Sequence, residues 1–151
     1  MARKRTVPPD HPAFAGLAVR HVTLAGGLRA AVHVTGELSS RRLPVICIPG
    51  YQRNMSDFSD FAGYLDRAGG GEWPIVLLDL PGRGRADDRQ RIEDYNTLTD
   101  ARDVASIMAA LGIGRAVMLG EGHGGQVAMV LAASHPLLIA GTVLVDSGPI
   151  T

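Results

Sequence analysis

Val117-Met118-Leu119-Gly120-Glu121-Gly122-His123-Gly124-Gly125-Gln126-Val127-Ala128-Met129-Val130-Leu131-Ala132 passes from a strand-like apolar run into a helix-like one through a turn with four glycines in six residues. So many residues without a Cβ, set between a strand and a helix, mean that the backbone turns too tightly for one or approaches something too closely. Two frames fit. Gly120-Glu121-Gly122-His123-Gly124 matches the Gly-x-Nuc-x-Gly elbow, which holds a nucleophile on a strained strand-to-helix turn, with Gly122 at the middle position. Gly120, Gly122 and Gly125 also match the Gly-x-Gly-x-x-Gly loop that seats a dinucleotide pyrophosphate at a helix N-terminus, with Asp146 as the ribose acid. A dinucleotide loop normally opens its sheet, whereas this turn follows two central strands, so placement favours the elbow.

On either side of the turn, short segments alternate in period. Residues 44–48 and 74–80, the latter closing at Asp79, are apolar runs of the kind that strands covered on both faces require, and 115–119 and 140–145 read as the third and fourth such strands. Between them, Phe58, Phe61, Ala62, Leu65 and Ala68 recur at helical spacing, with Asn54 or Ser56 available as N-cap, and so do Ala101, Val104, Ala105, Met108 and Leu111. The spacing predicts helices over 56–68, 97–111 and 126–134. Ahead of these, 17–24 and 28–35 alternate around Ala25-Gly26-Gly27 and read as a β-hairpin. The order is hairpin, then β-α-β-α-β-α-β with short glycine-marked connections, the pattern of an α/β protein with a doubly wound, mostly parallel sheet and helices on both faces. Residues 1–16 are proline-rich and read as an irregular lead-in on the surface, residues 17–151 as one domain, and 87–96 as polar and irregular.

Composition supports one ordinary folded domain: 151 residues, 46% hydrophobic and 20% charged. Fifteen basic and fifteen acidic residues cancel, which removes the electrostatic argument for nucleic acid or an anionic membrane and leaves a small-molecule substrate or a protein as the expected partner. The one cysteine, Cys47, lies in an apolar run and reads as a buried, inert thiol. No run reaches the roughly 20 apolar residues of a membrane helix, and the N-terminus lacks a signal-like apolar segment, so a cytoplasmic location is expected. No cofactor or metal ligand set is expected.

Four segments in register resemble the α/β-hydrolase superfamily, particularly the short hydrolases with a cap domain. Pro49-Gly50-Tyr51-Gln52-Arg53-Asn54 resembles the loop after that family's third strand, and Asp79-Leu80-Pro81-Gly82-Arg83-Gly84-Arg85 its Asp-x-x-Gly-x-Gly-x-Ser segment. Gly120-Glu121-Gly122-His123-Gly124-Gly125 resembles the elbow, and Val143-Leu144-Val145-Asp146-Ser147-Gly148-Pro149 the sixth strand and the turn toward the cap. The resemblance spans roughly residues 17–149. It implies an α/β-hydrolase fold whose C-terminal part is missing from this chain, and a parent that hydrolyses an ester, amide, epoxide or carbon–carbon bond of a small organic substrate.

The same resemblance assigns roles. The backbone N–H groups of Tyr51 and His123 would form the oxyanion hole, Gly50 and Glu121 would line the pocket, and Asp146 is a candidate acid, with loop capping as its other reading. Position 122 would carry the nucleophile, and glycine has no side chain to attack with. His11, His21, His33, His123 and His135 all precede the place of the family's catalytic histidine. His123 itself, following the nucleophile position, is expected to pack away from it. The chain thus reads as inactive alone, either nucleophile-substituted or truncated. The alternatives are a non-catalytic binding protein of the same fold and a dinucleotide-binding domain. The strand at 140–145 would be an apolar, unpaired edge, so a second polypeptide or symmetry mate is expected to cover it.

Overall fold

Every residue of Val45–Ile48 is buried, and the side chains alternate between two separate cores. Ile46 and Ile48 enter one with Val76, Leu78 and Met118; Val45 and Cys47 enter the other with Ile75 and Leu77. A strand that is apolar at every position folds this way only when both faces of its sheet are covered. The computed structural model describes residues 8–39 and 41–147. The expectations for residues 1–7 and for Gly148-Pro149 lie outside the described residues.

The strands are β1 (Arg20–Thr23), β2 (Arg29–Thr35), β3 (Val45–Ile48), β4 (Ile75–Asp79), β5 (Ala116–Glu121) and β6 (Ile139–Val145), in the spatial order β1-β2-β4-β3-β5-β6. The hairpin is antiparallel and joins β4 antiparallel, while β4, β3, β5 and β6 run parallel. The expected mixed, mostly parallel α/β sheet is therefore present. From β3 the chain moves outward to β4 and then crosses back to β5 on the other side. That reversal opens a crevice beyond the carboxyl ends of β3 and β5, where ligands of such sheets bind.

Helices α2 (Thr97–Leu111) and α3 (His123–Ser134) cover the first core, and α1 (Ser59–Ala68), preceded by a 3-10 turn at Met55–Phe58, covers the second. Local chemistry sets their ends. The Asn96 side chain accepts from the Thr99 N–H at 2.8 Å to start α2, and Gly112 closes it at φ 72°. The Asn54 side chain accepts from the Ser56 N–H at 2.9 Å and caps the Met55–Phe58 turn. Each fully buried Ile or Leu of these cores contributes about 1.5–3 kcal/mol relative to exposure.

The expected lead-in takes part in the core. Phe14, at the end of a 3-10 turn over Pro12–Phe14, is 2% exposed, with the Arg85 guanidinium stacked 4.8 Å from its ring centre. Proline-rich composition signals irregular backbone but carries no information on which side chain docks. The expected helix over 126–134 begins three residues earlier, at His123. Cys47 is buried as expected, and burial pushes its thiol well above the ordinary range. Among the described residues no helix is long and apolar enough to cross a membrane.

Candidate active site

The glycine turn lies at the carboxyl end of β5, beside the end of β3. Three of its glycines answer to close approach. A Cβ on Gly120 would sit 2.4 Å from the Gly124 carbonyl oxygen, one on Gly124 2.1 Å from that of Ile48, and one on Gly125 2.1 Å from Ser147 Oγ. Gly122 differs. Its φ of 56° and ψ of −120° fall outside the regions that L-residues favour, yet a Cβ there would find open space, its nearest neighbour Gly50 Cα at 3.8 Å. The turn is pinned around this residue. The Gly122 N–H donates to Val145 O at 2.9 Å, and its carbonyl accepts from Gly125 N at 3.0 Å and from Ser147 Oγ at 2.5 Å.

The loop over 49–54 closes the other side. A Cβ on Gly50 would lie 3.2 Å from Glu121 O, so the two loops meet backbone to backbone. Arg53 N donates to Gly50 O at 3.1 Å, closing a turn with Gln52 at φ 54°. Tyr51 projects its ring outward, 71% exposed. Neither the Tyr51 N–H nor the His123 N–H, which opens α3, has an acceptor among the described residues. These two backbone donors belong to the residues that follow Gly50 and Gly122, the second of them at a helix N-terminus. Glu121 is half-buried; its charge adds to that of Asp57, whose two oxygens accept from Arg53 at 2.8 Å, in holding the Arg53 guanidinium above its ordinary pKa.

His123 turns its ring away, toward α2. Its Nε2 lies 2.9 Å from Asp100 Oδ2. Asp100, fully buried on the first turn of α2, also accepts from Arg83 at 2.8 and 3.2 Å and from Arg89 at 2.6 Å. Burial would raise the Asp100 carboxyl, but the hydrogen bond from His123 and the Arg83 and Arg89 guanidiniums outweigh it and hold the group below the ordinary carboxylate range. Arg89 reaches Asp103 as well, at 2.8 Å. Asp79, at the end of β4, has the opposite balance. It accepts from Met55 N at 2.9 Å and Arg85 N at 3.1 Å, yet burial prevails and its carboxyl is raised.

Of the residues expected at the site, Gly50, Tyr51, Glu121, Gly122 and His123 are gathered at the β3–β5 crevice. Asp146 is exposed, at φ 52°, and its carboxylate has no partner among the described residues; Ser147 makes the loop contact instead. The Asp100 cluster escaped the sequence reading. Arg89 lies in a stretch read as irregular, and Asp100 looks like an ordinary acidic residue in a first helical turn. The acidic pair Asp100 and Asp103, one turn apart and facing the arginines of 83–89, was the available signal.

A family model described as "alpha/beta hydrolase fold" matches residues 44–151. A serine hydrolase-like protein of Danio rerio is 29% identical over 147 residues, covering 90% of this chain and 43% of its own. A 2-hydroxy-6-oxononadienedioate/2-hydroxy-6-oxononatrienedioate hydrolase of Burkholderia vietnamiensis is 33% identical over 98 residues, 65% of this chain and 30% of its own. Among solved structures, an alpha/beta hydrolase from Novosphingobium aromaticivorans superposes with a TM-score of 0.77 at 35% identity, covering 89% of this chain and 46% of that one. The chain spans less than half the length of these relatives.

Proposed function

The chain belongs to the α/β-hydrolase fold family, and from that premise we propose that the crevice between the 49–54 loop and the glycine turn is the oxyanion-binding half of a hydrolase active site. The substrate is a small organic molecule cleaved at an ester, amide, epoxide or carbon–carbon bond. One observation carries the reading. Among the turn's glycines, 120, 124 and 125 are sterically required, whereas Gly122 holds a strained backbone with room for a side chain, whose Cβ would meet only Gly50 Cα at an ordinary contact distance of 3.8 Å. Strain at an otherwise roomy position is what a turn built to present a side chain would show.

In this reading the N–H groups of Tyr51 and His123 are the oxyanion donors, fixed before the reaction and so free of reorganisation cost. Gly50 and Glu121 line the pocket. Gly122 occupies the nucleophile position without an attacking group. Losing a triad nucleophile costs roughly 10⁶-fold in a well-characterised protease, so the chain by itself is inactive by the covalent route. The exposed edge of β6 supports a further element, in a second polypeptide or another copy, that covers the strand; Asp146, at the end of that strand, remains a candidate acid only if such an element turns it inward.

The test is Gly122→Ser in the full-length protein, assayed on short-chain p-nitrophenyl esters. Turnover should rise at least about a hundredfold over the glycine form, a fraction of the loss a missing nucleophile causes. No gain would remove the serine-hydrolase reading. The missing nucleophile favours a second reading, a non-catalytic binding protein of the same fold. It predicts saturable ligand binding that Gly122→Ser leaves without turnover. The dinucleotide frame is not favoured, because Gly120, Gly124 and Gly125 are accounted for by contacts with the protein's own atoms.

A further inference from the structure

We propose that Asp100 is a positioning residue for the oxyanion-binding turn, acting through the imidazole of His123; the proposal rests on the hydrolase reading above. The N–H of a helix's first residue has no intrahelical acceptor, so its direction depends on what anchors that residue. At His123 the preceding residue is a glycine, which constrains little. The anchor is the side chain. Its ring is 20% exposed and bonds through Nε2 to a carboxylate with no exposed surface.

The acceptor capacity of that carboxylate is fully used. Oδ2 takes Arg83 Nη2 and His123 Nε2, and Oδ1 takes Arg83 Nη1 and Arg89 Nη2. Ionised and surrounded by donors, Asp100 can only accept, so the His123 proton resides on Nε2 and the ring has one tautomer and one orientation. On the other flank of the turn, Ser147 Oγ holds the Gly122 carbonyl. The peptide between Gly122 and His123, which bears the proposed donor N–H, is thereby gripped from both sides.

The grip extends to the second donor. Arg83 belongs to the loop whose Arg85 N–H bonds to Asp79, and the other Asp79 oxygen takes the Met55 N–H, immediately after the 49–54 loop. Two buried carboxylates therefore link the segments carrying both proposed oxyanion donors. A carboxylate that served only to neutralise Arg83 and Arg89 would affect stability but leave the His123 tautomer and the chemical step indifferent to it.

The experiment is a double-mutant cycle in the full-length Gly122→Ser protein, combining Asp100→Asn with His123→Leu, which removes the ring and keeps the N–H. Each single change should lower kcat about ten- to a hundredfold with KM within twofold, comparable to weakening one oxyanion donor. Asp100→Asn should have no further effect once His123 is Leu. Additive effects, or an unchanged kcat in either single variant, would overturn the proposal. If Asp100→Asn does not fold, His123→Leu alone decides by the same kcat criterion. If Gly122→Ser shows no esterase turnover, the hydrolase reading fails separately, and ¹⁵N NMR of the Gly122 form still tests the positioning. The parent should show His123 protonated on Nε2, and Asp100→Asn should erase that preference and shift the His123 amide signal. A tautomer and amide signal that do not move would refute it.

Discussion

A methyl group on Gly124 would press into the backbone carbonyls of Ile48 and Pro49, at 2.1 and 2.7 Å, which only a shift of α3 away from β3 can relieve. At Gly122 the same methyl meets no atom closer than 3.8 Å and faces only the intrinsic cost of the backbone angle. The two glycines should therefore respond differently. Gly124→Ala should cost about 3 kcal/mol or more through overpacking against backbone, and Gly122→Ala about 1–3 kcal/mol through strain alone. Urea midpoints of the two variants check this. Equal losses would mean that position 122 is no more open than its neighbours, and the argument for a side-chain site there would lapse.

Among the elements, β6 presents an exposed apolar edge. Its inner edge pairs with β5 from Ala116↔Ile139 to Glu121↔Val145, whereas Val143, Leu144 and Val145 are 39–50% exposed and the strand carries no charge. An uncharged apolar edge is a template for further pairing. The 151-residue chain should accordingly associate with rising concentration, and Val143→Lys should return it toward the monomer mass of 15.9 kDa. Sedimentation velocity over a tenfold concentration range reads this directly. A wild-type chain that stays monomeric throughout would show that the edge needs no cover. By contrast β1, at the opposite edge, is four residues long with Arg20, His21 and Thr23 exposed, a short polar edge that resists such pairing.

Across the whole molecule, Asp79 and Asp100 tie together the loops at the carboxyl end of the sheet, and they respond to acid with opposite sign. Asp100 has a folded pKa below its ordinary value of 3.8, so on acidification the unfolded chain takes up its proton first. Its contribution is complete above that value and is lost as pH falls toward the depressed one. Asp79 has a folded pKa above 3.8, so the folded chain is protonated first and acidification through that window favours folding. In denaturant titrations between pH 6 and about pH 3, Asp100→Asn should flatten the loss of stability and Asp79→Asn should steepen it. The same change of slope in both variants would contradict these assignments.

Patterning alone sufficed for much of this architecture. Apolar runs at 44–48 and 74–78 and two helical periodicities, punctuated by glycine and asparagine caps, call for a sheet whose central strands are buried on both faces. Gly120 to Gly125 identified the turn at its centre, because local chemistry of this kind depends only on neighbours in the chain. What neighbours in the chain do not encode is which distant group fills each space. Phe14 falls in a stretch expected as a surface lead-in yet lies buried under Arg85, and Arg89 and Asp100, charged residues 11 positions apart, close one buried network with Arg83 and His123. The α/β order and the residues of the turn are thus written in the chain. That Gly122 is the roomy position among crowded glycines, and that a carboxylate 23 residues before His123 holds that ring, follows from the packed fold alone. The reason is physical: periodicity is a property of the chain, whereas steric room and charge pairing belong to the packed whole.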